Sequence, residues 1–366
     1  MNSLIIAQEG ARMFQRRIRV AMLGTKKYGG NAENICESIL KDCWNGTYLQ
    51  VSAGHFPGFY ARDFGWVVSS LLELGEKEKV EKTLAWALAC YEKKGKIMIA
   101  INKQGKPFDF PTYGIDALNY MLYSLRFAKQ KELTREHEEL LEREIQQCYD
   151  LTYDESTGLV KKGVPLSSLK DHALRTSSCY DNVMLACIQN NAKLLGLKSP
   201  FKKDIKKAIK NNFWNGYYFL DDLSGNTHVA GDANLFPFWT HLFTEKAMMK
   251  KAFATLEEEG LTKPFPIKYT KSKSQKMIFL DIFALGYQTD AIWMHMAPLY
   301  IEMLAKIDKE KAVQHLLGIK GVIERDKNYI EVYTSTGKPF SSPFYYADEG
   351  MSWCANYLVL AGKLHV

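Results

Sequence analysis

The chain has 366 residues, 46% of them hydrophobic and 24% charged, an ordinary globular balance with length for one large core or two modest domains. No stretch approaches the ~18 uncharged apolar residues of a membrane span, and the seven cysteines at 36, 43, 90, 148, 179, 187 and 354 include no CxxC pair, which argues against a disulfide framework and a zinc site. The net charge is +7, from 48 basic and 41 acidic residues, and its densest stretch, 201–210, has the apolar spacing of a solvated helix rather than a nucleic-acid motif.

Met1–Ala7 is apolar but short, and it runs into Glu9 and then Arg12, Arg16, Arg17 and Arg19. That order does not fit a secretion signal and predicts retention in the cytoplasm. Residues 1–30 are expected to be a loosely attached lead-in to a single domain over 31–366. From there the dominant pattern is apolar residues near i, i+3, i+4 and i+7, as in Val67/Leu71/Leu74 and Leu118/Met121/Leu122/Leu125. It predicts helices over 32–44, 64–75, 78–93, 115–129, 134–153, 179–195, 200–212, 233–243, 246–258, 290–306, 309–323 and 349–362.

The connections alternate in length. Gly75–Lys77 and Lys129–Lys131 are short, whereas 45–62, 95–114, 154–178, 213–232, 259–289 and 324–348 are long and rich in aromatic, Gly, Pro and Asp residues. Loops of that length in a compact domain are usually functional. Twelve helices and six long loops predict an all-α ring of six helical hairpins, with the long loops gathered at one mouth. Tyr217–Leu220 and Tyr329–Tyr333 carry β-formers and predict small β-hairpins within those loops.

The sharpest local feature is Gly58-Phe-Tyr-Ala-Arg-Asp-Phe-Gly-Trp66, in which Asp63 stands where a long loop becomes a helix. An N-cap is the plain role for an Asp there. The flanking aromatics Tyr60, Phe64 and Trp66 also suit a proton donor, because walls that restrict water oppose ionisation. Glu331 lies among aromatics in Tyr329-Ile-Glu-Val-Tyr-Thr-Ser-Thr-Gly337, and Glu349 competes with it in Tyr345-Tyr-Ala-Asp-Glu-Gly350. Two carboxylates facing one another across a sugar are the minimum for glycoside hydrolysis, and a gap of about 6.5–9.5 Å leaves room for water and gives inversion. Asp109, Asp116, Asp181, Asn182, Asp232, Asn234 and Asp290 fall at loop–helix junctions, as caps or as sugar ligands. His241 and His295 sit on apolar helices and read as core groups. Neither a P-loop, a GxGxxG, an HExxH nor a GxSxG is present.

In order and spacing the chain resembles the six-hairpin (α/α)6 glycosidases, the superfamily of glucoamylases, trehalases, neutral invertases, processing α-glucosidases and the debranching glucosidase domain. Tyr60-Ala-Arg-Asp-Phe-Gly-Trp66 is similar to the Arg-Asp-Phe motif that carries the general acid. Phe213-Trp-Asn-Gly-Tyr-Tyr-Phe219 with Gly231-Asp-Ala-Asn-Leu235 resembles the middle loop and its following helix, and Asp290-Ala-Ile-Trp293 the opening of the fifth inner helix. Tyr329-Ile-Glu-Val-Tyr-Thr-Ser-Thr-Gly-Lys-Pro339 is similar to the segment holding the general base. The resemblance implies an inverting hydrolase of small α-linked glycosides, with Asp63 as acid and Glu331, ahead of Glu349, as base. It implies a sugar site formed from Tyr60, Arg62, Phe64, Trp66, Asp116, Asp181, Asn182, Asn234, Asp290, Trp293, Tyr333, Glu349 and Trp353. The partner expected is a small carbohydrate, with no cofactor, metal, nucleic acid or membrane. A sugar epimerase or unsaturated-uronide hydrolase on the same ring is the first alternative, and a non-catalytic toroid that binds carbohydrate or protein is the second.

Overall fold

A computed structural model describes residues 2–170, 172–271 and 277–366. Among them, fourteen helices dominate. α1 (Asn2–Leu23) leads into α2 (Ala32–Cys43). α3 (Ala61–Glu73) and α4 (Lys77–Lys94) follow, then α5 (Ile115–Phe127), α6 (Lys131–Glu136) and α7 (Glu138–Thr152). α8 (Cys179–Leu195), α9 (Ile205–Phe213), α10 (Gly231–Trp239) and α11 (Lys246–Glu258) continue the series. α12 (Met296–Leu304), α13 (Lys309–Asp326) and α14 (Cys354–Leu364) complete it.

α3, α5, α8, α10, α12 and α14 each pack against the next, and α14 returns to α3, so an inner ring closes. Apart from α1, the other helices form an outer ring, α14 pairing with α2 to make the sixth hairpin. The fold is therefore the all-α (α/α)6 toroid the sequence predicts. Burial explains which helix takes which ring. All nine residues of α10 are buried, as suits a helix walled on every side, whereas α4 buries one stripe, Val80, Thr83, Leu84, Ala87, Leu88 and Tyr91. Local chemistry sets the ends: Asn31, Ser178, Asp204 and Asp308 cap α2, α8, α9 and α13 through their side chains, and Gly95 and Gly196 terminate α4 and α8 in the left-handed region. Gly65 allows the closest approach of the inner ring, since a Cβ there would run into the Tyr120 ring of α5.

Several boundaries differ from the sequence reading. α3 begins at Ala61, so Asp63 lies inside its first turn, and the cap position falls to Tyr60 with no side-chain bond. The expected helix over 134–153 is broken at His137. α12 begins only at Met296, because Ile292–Trp293 (β6) pairs antiparallel with Val332–Tyr333 (β7). Tyr217–Leu220 contributes only single bridges, Trp214 to Phe219 and Leu220 to Val229. Small strands also join β1 (Phe59–Tyr60), β2 (Ala100–Ile101) and β3 (Pro107–Phe108), and β4 (Tyr153–Asp154) with β5 (Leu159–Val160).

The segment expected to be a loose lead-in contains the 22-residue helix α1, docked across the loops. Arg12 Nε donates to the His55 carbonyl at 2.8 Å, Arg17 Nε to the Ser342 carbonyl at 2.7 Å, and Arg16 pairs with Glu349. No helix among the described residues is long and apolar enough to cross a membrane.

Candidate active site

The long loops and α1 enclose a cavity of about 500 Å³ at one end of the ring. Asp63 and Glu331 both line it, 268 residues apart in the chain, with Tyr60, Arg62, Trp66, Trp293 and Trp353.

Asp63 enters from the first turn of α3. Its Oδ1 accepts the Trp353 indole N–H at 3.1 Å, and its Oδ2 lies 3.6 Å from Arg62 Nε. Burial disfavours the ionised form and outweighs the Arg62 charge and the indole bond, so the carboxyl is pushed up to about 6. Arg62 also reaches Asp116, Nη1 to Oδ2 at 3.6 Å, and lies 5.4 Å from the Trp66 ring centroid. That geometry fixes the cation behind the acid.

Glu331 is placed by strand pairing. Its carbonyl accepts from Met294 N at 3.1 Å and its N–H donates to the Asp348 carbonyl at 2.9 Å. The carboxylate accepts three bonds: from Tyr287 hydroxyl, from Tyr345 hydroxyl at 2.6 Å, and from Asp348 N–H at 2.9 Å. Burial first, then the neighbouring Asp348 charge, raise the carboxyl to about 7 against the pull of those bonds. Behind it, His55 Nε2 lies 3.3 Å from Tyr345 hydroxyl and His55 Nδ1 3.3 Å from Asp348 Oδ1. Asp348 is held in turn by Ser52 and by the backbone N–H of His55 at 2.8 Å.

The other expected site residues divide by position. Glu349 does not reach the cavity lining; it pairs with Arg16 of α1 and accepts from Lys26 N at 3.0 Å. Phe64 packs against Phe59 at 5.4 Å, and Tyr333 donates to Asp326 at 2.9 Å. Asp116 sits behind Arg62, accepting from Leu169 N and Tyr180 hydroxyl, both at 3.2 Å. Asp181 accepts from Ser178 hydroxyl at 2.5 Å beside the cap of α8. Asn182 accepts from Val160 N at 2.8 Å and donates to the Ser178 carbonyl, and Asn234 bonds both backbone groups of Phe219 and the Ala230 carbonyl. These two amides anchor loops to inner helices and are not among the cavity-lining residues. Asp290 accepts from Thr289 hydroxyl at 3.3 Å, also outside the lining.

His295 is the residue that sequence reasoning misses. Its apolar surroundings in the chain suggest a core group within a helix, but it stands at the N-cap of α12 and lines the cavity. Its ring stacks on Trp66 with centroids 4.2 Å apart and an interplanar angle of 5°. Neither ring nitrogen has a hydrogen-bond partner among the described residues. Burial, with Arg62 nearby, holds it well below the usual histidine range, so the imidazole is neutral. Tyr287, Gln288 and His172 also line the cavity; the Ile-Trp pair and the Tyr345-Tyr346 pair are the nearest sequence signals to them.

No family model and no curated protein matches the sequence. The fold matches solved glycosidases. A rhamnosidase from Klebsiella oxytoca with rhamnose bound aligns at TM-score 0.66 and 12% identity, over 92% of this chain and 63% of that one. The chain thus spans less than two thirds of the rhamnosidase. A wild-type glycosidase aligns at TM-score 0.64 and 12% identity over 98% of both chains, and a variant of a glycosidase in complex with glucose aligns at 0.63. A GH63 mannosylglycerate hydrolase from Thermus thermophilus, in complex with Tris, aligns at 0.60 and 12% identity, over 90% of this chain and all of that one. These neighbours are glycosidases of the six-hairpin superfamily, and at this identity what the chain shares with them is the fold.

Proposed function

We propose that the protein is an inverting glycoside hydrolase acting on a small α-linked glycoside, with Asp63 as general acid and Glu331 as general base. The observation that carries this reading is that two buried carboxyls from distant parts of the chain, Asp63 of α3 and Glu331 of the last long loop, line one aromatic cavity. Asp63, raised to about 6, keeps about a tenth of its protons at neutrality, against about a thousandth for an ordinary Asp, for the leaving oxygen. Glu331 receives three hydrogen bonds that favour its carboxylate and hold it in place; as base it takes the proton of a water attacking opposite the leaving group. The rings of Trp66, Trp293 and Trp353 suit the C–H faces of a sugar. The glycosidase neighbours support the class, and the sequence resemblance supports inversion and the α linkage.

The test is proton NMR of the first anomer released from a panel of α-glycosides. A β-anomer from an α-glycoside is expected. Release of the α-anomer removes Glu331 from the role of base, and normal turnover by Asp63→Asn removes the acid.

One observation favours a second reading. Two histidines, His295 and His172, line the same cavity, which suits proton transfer at a sugar carbon in an epimerase. Spectra of free reducing sugars separate the two, since isomerisation of a free sugar with no cleavage of the glycosides selects the epimerase.

A further inference from the structure

The cavity is larger than one sugar ring needs, and most of the excess is apolar. Asp63, Glu331, Arg62 and His295 line one part of it, and Ile6, Met13 and Phe14 of α1 with Phe110, Phe283 and Phe344 line another, where the polar Glu9 is engaged by Arg12. These outer residues form a built wall. Ser342 hydroxyl donates to the Phe283 carbonyl at 2.6 Å, Arg17 ties α1 to the Ser342 carbonyl, and the Phe283 and Phe344 rings meet edge to face at 5.3 Å.

The apolar surface continues outward as a rim. Phe14 is 46% exposed and Phe344 48%, and beside Phe283 the chain presents Phe279 at 80%. Contiguous exposed apolar surface around a pocket marks a binding face. A second sugar would be poorly served there. Most of its hydroxyls would lose water against Ile, Met and Phe side chains that offer no hydrogen bond, Glu9 being already paired with Arg12, and unpaired buried hydroxyls are penalised. An alkyl or aryl group would gain from the same walls.

We infer that this outer chamber is a subsite for an apolar aglycone, so that the substrate is a sugar joined to a hydrophobic alcohol rather than to another sugar. The term aglycone rests on the hydrolase reading; the apolar chamber does not. The sugar sits between Asp63 and Glu331, and the leaving oxygen faces Asp63 with its alkyl or aryl chain running out between α1 and Phe344.

The experiment measures quenching of tryptophan fluorescence in full-length Asp63→Asn, which removes turnover from the readout. The probes are methyl, butyl and octyl α-glucosides and α-rhamnosides below their micelle concentrations, the corresponding disaccharides, and 1-octanol as a competitor with no sugar. The dissociation constant is expected to fall about three- to fourfold per added methylene over the series, and octanol to compete with the octyl glycosides. Phe14→Asp and the half-exposed Phe344→Asp, each in the same background, should flatten the series. Equal affinity for methyl and octyl glycosides, tighter binding of a disaccharide, or no binding of octyl glycosides and octanol overturns the inference. Wild-type protein that shows the chain-length dependence but releases no sugar ends the hydrolase reading and leaves the apolar subsite standing.

Discussion

Trp353 donates its indole N–H to the Asp63 carboxylate at 3.1 Å, across the seam where the last inner helix meets the first. The bond joins residues 290 apart in sequence and favours the ionised acid against the burial that raises it. Removing the donor should therefore raise the Asp63 carboxyl further. Because Asp63 titrates below Glu331, the acid-side break of the kcat/KM profile lies at the Asp63 value, and in Trp353→Phe that break is expected to move to higher pH. An unmoved break would detach this indole from the acid.

Asp63→Asn keeps the shape of the side chain and removes the proton donor. Turnover is expected to fall by about 10²–10⁴, with the far-ultraviolet dichroism unchanged. A glycoside whose leaving group needs no protonation, such as a nitrophenyl glycoside, should lose much less.

The two carboxyls also set a pH dependence. Catalysis needs Asp63 protonated and Glu331 ionised, yet Asp63 titrates at about 6 and Glu331 at about 7. The acid thus titrates below the base, and only a minor fraction of molecules carries both in the working state at any pH. Activity is expected to follow a narrow bell centred between the two values. Arg62, Asp116 and Asp348 are the charges that face these groups, so Asp348→Asn should lower the Glu331 value, move the alkaline break of the bell to lower pH and raise its peak.

Stability moves with the same protons. Glu331 holds its proton to about 7 when folded, whereas an unfolded Glu releases it near ~4.3. Between those values the folded chain binds more protons, so this group's contribution to stability falls as pH rises through the window and the loss is complete above it. Glu331→Gln lacks that penalty. Its midpoint in urea relative to wild type is expected to improve from pH 5 to pH 8. A constant difference would contradict the raised value.

Asn234 distinguishes a sugar ligand from a loop anchor. Asn234→Ala leaves the buried backbone groups of Phe219 and the Ala230 carbonyl short of partners, which should cost about 1–3 kcal/mol of folding stability. A sugar ligand would instead raise KM in a variant of undiminished stability.

Much of the ring is legible in the sequence because helical periodicity is local and alternating loop lengths encode hairpins. Asp63 is legible for the same reason: its motif, its aromatic neighbours and its helix are contiguous. Glu331 is partly legible: the resemblance ranks it ahead of Glu349, and the ion pair that Arg16 makes with Glu349 from more than 300 residues away shows where the rival is held. His295 escapes because the pairing of Ile292–Trp293 with Val332–Tyr333, which shortens α12 and brings His295 to the cavity, joins two distant loops. Asn182 and Asn234 stand out as polar junction residues, and only their partners show that they serve the backbone. α1 looks like a loose basic segment because its Arg contacts lie in loops distant in sequence.

The closing hairpin, α14 against α2, has a consequence for biosynthesis. The acid and the outer helix beside it are made well before Trp353 and the helix that shuts the circle. While the polypeptide is still emerging from the ribosome the ring gapes at that seam, and the pocket can take its working shape only after residues 353–364 have left the exit tunnel.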